Sequence, residues 1–235
     1  MIKLIFADID NTLLDFDEFI RFAMETGFRK FDLGSYEPRM YNVFIEENGK
    51  LWKSLELGNL TFDYIEKNRW NIVFRRLGIE FDGTVFEAFF RKILWDCAIP
   101  ISGAYEMLSE LKEHFIVCAA SNGPYMQQMH RLDISDMSKY FDYCFISEKV
   151  GASKPDTAFF DYAFDTINKD RSDPILPDEC VIIGDSVSSD MESGFRYGMK
   201  TFYFNKSGSA VPDNVTWSSD NLSGIAKTLI RASGK

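Results

Sequence analysis

Leu4-Ile5-Phe6-Ala7-Asp8-Ile9-Asp10-Asn11-Thr12 decides how this chain is read. The apolar run Leu4 to Ala7 reads as a short buried strand. Two carboxylates, Asp8 and Asp10, stand where that strand should end, and strand ends are where open α/β sheets place their chemistry. If extended backbone ran on through Asp10, both carboxylates would face the same side. An abrupt turn would let them diverge into separate roles. One carboxylate can attack an electrophile while the other moves a proton. Together they can also hold a hard divalent cation through oxygen. Taken alone, the same residues read equally well as an acidic turn with Thr12 capping a helix.

The whole chain narrows the choice. Its 235 residues are 46% hydrophobic and 15% aromatic, enough for one large core or a core plus a smaller domain. A net charge of −10 and a pI of about 4.8 argue against a polynucleotide partner. A small phosphate ester stays open, because a metal ion and one lysine can supply local positive charge. Cys97, Cys118, Cys144 and Cys180 form no CxxC pair, and the last three lie in or beside apolar, strand-like runs. Buried reduced thiols in a reducing compartment are expected. With only His114 and His130, a multi-histidine zinc site is excluded. No run approaches the ~20 apolar residues of a membrane span, and the N-terminal stretch lacks secretory features. The expected home is the cytoplasm, away from membranes, as a monomer or homodimer. The sequons at Asn59, Asn214 and Asn221 then read as polar turns rather than glycan sites.

Asp15 to about Cys97 is helical in pattern. Phe16, Phe19, Ile20, Ala23 and Met24 recur at helix spacing, and a second amphipathic stretch from Leu60 to Leu77 stops at Gly78. Tyr36–Leu57 and Val85–Trp95 supply two more. The aromatic stripes, Phe89, Phe90 and Trp95 among them, read mostly as core. After Pro100 short apolar runs alternate with helical ones: Phe115–Ala119, Tyr143–Ile146, Val181–Ile183 and Thr201–Phe204. That alternation predicts βαβ units and a parallel sheet. The expected architecture is an α/β, Rossmann-like core of residues 1–15 and 97–235, with helices on both faces. Residues 16–96 would be an inserted helical domain, and Ile99–Gly103 a re-entry hinge.

Each strand is followed by polar chemistry. The first ends in Asp8 and Asp10, and the second in Ser121-Asn122-Gly123. The third leads to Lys154-Pro155, and the fourth to Gly184-Asp185-Ser186 with Asp190 beyond. A parallel sheet brings these ends to one edge. The set suits phosphoryl transfer, where positioning and charge neutralisation dominate. Asp8 and Asp185 can ligate Mg²⁺. Ser121 and the amides around Asn122 and Gly123 can hold phosphate oxygens. Lys154 can neutralise the anion and keep a nucleophilic carboxylate ionised. Pro155 fits the first position of a helix, whose N-terminus would point at the same spot.

The order DxDxT, Ser-Asn-Gly, Lys-Pro, then GDS with a later Asp resembles the haloacid dehalogenase (HAD) superfamily of Mg²⁺-dependent phosphotransferases. The helical insert is similar to that superfamily's C1 cap. Thr12–Asp17, Ile146–Pro155 and Thr216-Trp217 look like the branch containing pyrimidine 5′-nucleotidases. The resemblance implies Asp8 as nucleophile, through an aspartyl-phosphate, and Asp10 as general acid, then base. It implies metal ligation by Asp8, by the Asp10 carbonyl and by Asp185, with Asp190 supporting the metal shell or Lys154. Ser121, Asn122 and Lys154 would bind phosphate. Asn11 stands where close nucleotidase relatives commonly carry an acidic residue, and Ser121 where they carry Thr; Ser keeps the hydroxyl. The implied reaction is Mg²⁺-dependent hydrolysis of a small phosphate monoester, a nucleoside 5′-monophosphate foremost. Sugar phosphatases and hexose-phosphate mutases share this core. Dehalogenation has no use for Asp10 as a leaving-group acid. A regulatory module that merely kept the fold would not need the intact set Asp8, Asp10, Lys154 and Asp185.

Overall fold

A computed structural model describes residues 1–234. The chain separates into two compact units, Met1–Asp15 with the chain from Ala98 onward, and Phe16–Cys97. The second unit ends at Cys97 rather than at the expected residue 96, and the Cys97 N–H turns back to the Leu94 carbonyl (3.3 Å).

Strand β1 (Leu4–Ala7) opens the first unit. The helices α1 (Phe16–Lys30), α2 (Pro38–Glu56), α3 (Phe62–Leu77) and α4 (Gly83–Trp95) make up the second. The first unit resumes with α5 (Ala104–His114), β2 (Ile116–Ser121), α6 (Tyr125–Ile134), β3 (Tyr143–Ile146) and the single turn α7 (Ser147–Val150). Then come α8 (Thr157–Asn168), β4 (Cys180–Gly184), α9 (Glu192–Tyr197), β5 (Lys200–Phe204), β6 (Trp217–Ser219) and α10 (Ile225–Ala232). The strands form one sheet in the order β3-β2-β1-β4-β5-β6, parallel throughout. β1 lies between β2 and β4, with Ala7 level with Ala119 and Ile183. The ends that carry Asp8, Ser121 and Asp185 are therefore neighbours.

Side-chain alternation splits these strands between two cores. Ile5, Ala7, Val117, Ala119, Val181 and Ile183 pack with α5 and α10. Leu4, Phe6, Cys118, Ala120, Cys180 and Ile182 pack with α8. Helices cover both faces, as a parallel sheet requires. β6 escapes the sequence reading, since three residues are too few to show a period; Trp217 is held there by stacking on Phe202, centroids 6.2 Å apart. All four cysteines are free thiols, and burial pushes Cys180 up to about 12 and Cys144 up to about 11. Among the described residues no helix is long and apolar enough to cross a membrane.

The helical unit is built around aromatic rings. Trp70 lies 4.3 Å from Phe86, 4.8 Å from Phe44 and 5.4 Å from Phe90, centroid to centroid. Such contacts add roughly 0.5–1.5 kcal/mol per pair beyond burial. Phe90 is buried as expected, whereas Phe89 is only half-buried and Trp95 is exposed. Among the rings sits a buried charge pair: Arg69 grips Glu87 through two bonds, 2.6 and 3.1 Å, and donates a third to Asn48 at 3.2 Å.

Candidate active site

The chain turns sharply after β1, so the two carboxylates diverge. The Asp8 N–H still follows the sheet, donating to the Ile183 carbonyl at 2.9 Å. Then Asn11 takes a left-handed conformation (φ 58°), which Asn tolerates better than most residues. The Leu13 and Leu14 N–H groups both return to the Ile9 carbonyl. Behind the turn, Asp15 N–H bonds Ile99 O and Ile101 N–H bonds Leu13 O, so the re-entry segment is tied to the outgoing one.

Asp8 is 8% exposed and faces Lys154, whose Nζ donates to Asp8 Oδ1 (2.9 Å), Asp190 Oδ1 (2.6 Å) and the Ala120 carbonyl (2.6 Å). An ammonium has three N–H bonds, and these three acceptors meet them, so Lys154 stands against the Asp8 and Asp190 carboxylates. Burial pushes Asp8 up to about 7 against the pull of Lys154. Burial also opposes the charge on Lys154, but the Asp190 and Asp8 carboxylates outweigh it and hold its pKa above the usual lysine value.

Asp190 is carried on a π-helical turn, Val187–Met191. Its Oδ2 accepts the Ser186 N–H at 3.1 Å, and Oδ1 is on Lys154. Gly184 makes this approach possible: a Cβ there would lie 2.1 Å from Asp190 Oδ2 and 2.2 Å from its Cγ. Asp185 is half-buried and accepts a long hydrogen bond, 3.4 Å, from the buried Thr12 hydroxyl. Carboxylate oxygens of Asp8, Asp185 and Asp190 lie within 4.8 Å of one another. Three carboxylates against one ammonium, all oxygen donors, suit a hard divalent cation such as Mg²⁺. Asp190 already has a partner on each oxygen, whereas Asp8 has Lys154 on Oδ1 and Asp185 a long bond from Thr12, so Asp8 and Asp185 are the residues that could offer such an ion an oxygen.

Asp10 points to different partners. Its Oδ1 accepts from Arg131 Nη1 and its Oδ2 from Gln128 Nε2, both at 2.6 Å. Gln128 Nε2 also donates to Ser121 Oγ at 2.7 Å. The Asn122 side chain clasps the Lys154 backbone, Oδ1 accepting from the N–H (2.8 Å) and Nδ2 donating to the carbonyl (2.9 Å). The Gly123 N–H is spent on Ser121 Oγ at 3.1 Å. Pro155 precedes α8 rather than starting it: Asp156 is the cap, accepting from the Ala158 N–H at 3.0 Å.

Sequence reasoning missed Gln128 and Arg131. Their spacing of three, on a helix that directly follows a sheet-edge loop, was the available signal.

The site thus rests on strand-end carboxylates of a parallel α/β sheet. A sequence profile of the haloacid dehalogenase-like hydrolases matches residues 2–198, and the chain belongs to that family; it is a hydrolase. It is similar to pyrimidine 5′-nucleotidase YjjG of Escherichia coli (strain K12), 28% identical over 97% of each chain. It is 30% identical to pyrimidine 5′-nucleotidase PynA of Streptococcus pneumoniae (strain ATCC BAA-255 / R6), over 86% of this chain and 84% of that one. The crystal structure of the HAD-hydrolase YfnB from Bacillus subtilis bound to magnesium superposes with a TM-score of 0.85 at 26% identity, covering 98% of both chains.

Proposed function

We propose that the protein is a Mg²⁺-dependent phosphatase that hydrolyses a small phosphate monoester, foremost a nucleoside 5′-monophosphate, through an aspartyl-phosphate on Asp8. The observation that carries this reading is the separation of two carboxylates two residues apart: Asp8 on Lys154, Asp10 on Arg131 and Gln128. Two carboxylates in different settings can take two roles.

Asp8 and Asp185, with the Asp10 backbone carbonyl, would hold the metal ion, which supplies charge neutralisation to the phosphoryl group. Lys154 keeps Asp8 anchored through Oδ1, and Oδ2 attacks phosphorus. The P–O bond to the leaving alcohol breaks as the Asp8–phosphorus bond forms, and Asp10 gives the departing oxygen its proton. Water then attacks phosphorus, Asp10 takes the proton back, and the Asp8–phosphorus bond breaks to release inorganic phosphate. The Ser121 hydroxyl donates to a phosphate oxygen. A dehalogenase would need the first carboxylate and not the second. The nucleotide preference draws on the similarity to the two pyrimidine 5′-nucleotidases.

Phosphate release across a panel of nucleotide and sugar phosphates, with Mg²⁺ and with EDTA, tests the proposal. Metal-dependent release, with pyrimidine nucleoside monophosphates highest in kcat/KM, is expected. Release insensitive to EDTA, or no release from any ester, overturns it; a preference for hexose phosphates overturns the nucleotide assignment.

A further inference from the structure

Gln128 and Arg131 belong to no motif of the site, yet they are among its most buried polar residues, 0% and 1% exposed. Burying a guanidinium is costly unless it is well paired. A purely structural ion pair would bury both partners. Here the cation is buried while the side chain of Asp10 stays 32% exposed. The guanidinium forms the floor, and the carboxylate is presented upward from it.

The orientation of Gln128 follows from chemistry. Arg131 Nη1 also donates to Gln128 Oε1 at 2.9 Å, and a guanidinium can only donate. The amide oxygen therefore faces Arg131, and the amide nitrogen must face Asp10 Oδ2 and Ser121 Oγ, which it reaches at 2.6 and 2.7 Å. Ser121 Oγ already accepts from the Gly123 N–H. With both lone pairs taken, the hydroxyl can only donate outward. Gly123 is part of the device: a Cβ there would lie 2.6 Å from Gln128 Nε2 and 2.8 Å from its carboxamide carbon, and Gln128 cannot yield without losing its three partners.

We propose that Gln128 and Arg131 are positioning residues that fix the Asp10 carboxylate for proton transfer to the leaving oxygen and turn the Ser121 hydroxyl into an obligate donor to phosphate. The inference rests on the reading of Asp10 as acid and base given above. Two oxygen lone pairs of Asp10 are pinned, and the remaining ones carry the proton toward the ester.

The test compares two esters by kcat/KM with Mg²⁺ at saturation. p-Nitrophenyl phosphate expels a leaving group that needs no proton; an alkyl ester, a nucleoside 5′-monophosphate, needs one. kcat/KM reports events up to loss of the leaving group, so the later attack of water does not enter. Asp10→Asn is the reference and should lower the alkyl-to-aryl ratio by on the order of 10²-fold or more. Arg131→Met and Gln128→Met should lower that ratio by about tenfold or more, with Arg131→Lys intermediate. If Arg131→Met does not fold, Arg131→Lys and Gln128→Met carry the comparison. A ratio equal to that of the unsubstituted enzyme in those two variants, whether both rates fall together or neither falls, overturns the inference alone. An unsubstituted enzyme that hydrolyses neither ester, or an Asp10→Asn ratio that does not move, overturns the functional reading and this inference with it.

Discussion

In the α/β unit Lys154 meets Asp8 and Asp190 with Asp185 alongside; in the helical unit Arg69 meets Glu87 alone. Both cations are buried, and both pull on carboxylates that burial pushes toward protonation. Burial raises Glu87 against the pull of Arg69, just as it raises Asp8 against Lys154. The difference is stoichiometric. Arg69 and Glu87 match one for one, with a two-point grip, a third bond to Asn48 and the guanidinium 4.7 Å from the Phe90 ring centroid. That charge is closed on itself. The strand-end cluster carries more negative charge than its lysine can balance. A fold tolerates such an excess where something positive is to be bound, and perturbed groups collect at such places.

The largest effect should come from the oxygen proposed to attack. Asp8→Asn is nearly isosteric and should cut phosphate release by on the order of 10⁴-fold or more while far-UV circular dichroism is unchanged. In EDTA its denaturation midpoint should be no lower than that of the unsubstituted protein, because a poorly solvated carboxylate has been removed and Lys154 keeps Asp190. Residual turnover within tenfold of normal would remove Asp8 as nucleophile.

Breaking each cluster at its cation sharpens the contrast. Lys154→Met and Arg69→Met each strand buried carboxylate, and each should cost about 3–5 kcal/mol in urea denaturation with EDTA. Added Mg²⁺ should recover part of the loss in Lys154→Met and none in Arg69→Met. Equal recovery in both, or in neither, would show that the excess of carboxylate is not a cation site.

The unequal legibility of the two clusters has a physical basis. Asp8, Ser121 and Asp185 close or directly follow apolar runs, Lys154 lies one helical turn beyond another, and strands end where such runs end, so their convergence could be read from order alone. Arg69 and Glu87 lie on different helices, eighteen residues apart, and nothing local separates them from exposed neighbours such as Arg75 or Glu80. Gln128 and Arg131 look like a solvated helix face until the sheet places α6 against the turn after β1. The side-chain partners of Asn122 and Lys154 were out of reach of the sequence for a related reason: residue type gives the donors, and only the fold tells which acceptors they meet.

Binding of Mg²⁺ should be coupled to pH through Asp8. With its pKa pushed by burial from the ordinary 3.8 up to about 7, the metal-free folded protein holds a proton there, between those pH values, that the unfolded chain has lost. The unfolded state binds fewer protons, so this group's contribution to stability falls as pH rises from about 4 to about 7. Mg²⁺ needs the ionised carboxylate and competes with that proton. The stabilisation on adding Mg²⁺, read as the rise in melting temperature, should therefore be greater at about pH 8 than at about pH 6; in free energy the difference is at most ~1.4 kcal/mol per pH unit for one linked proton. Asp185→Ala should diminish the gain at both. A gain that is larger at the acid end would contradict the assignment of Asp8 to the metal.

The smallest effect is expected where the charge is closed. Arg69→Met combined with Glu87→Leu and Asn48→Leu replaces the buried network of the helical unit with apolar groups of similar volume and leaves no polar partner behind. The ring cluster of Phe44, Trp70, Phe86 and Phe90 already surrounds the space, so the new side chains meet apolar walls. Replacing a buried ion pair in this manner is commonly neutral or stabilising by about 1–4 kcal/mol. The urea midpoint of the triple variant should equal or exceed that of the unsubstituted protein, although Arg69→Met alone is strongly destabilising. Its kcat/KM and its half-saturating Mg²⁺ concentration should be unchanged. A triple variant as unstable as the single one would mean that the pair orders its helices beyond what packing achieves. A shift in Mg²⁺ dependence would show that the two buried clusters are not independent, and the contrast between a closed charge and an open one would fail.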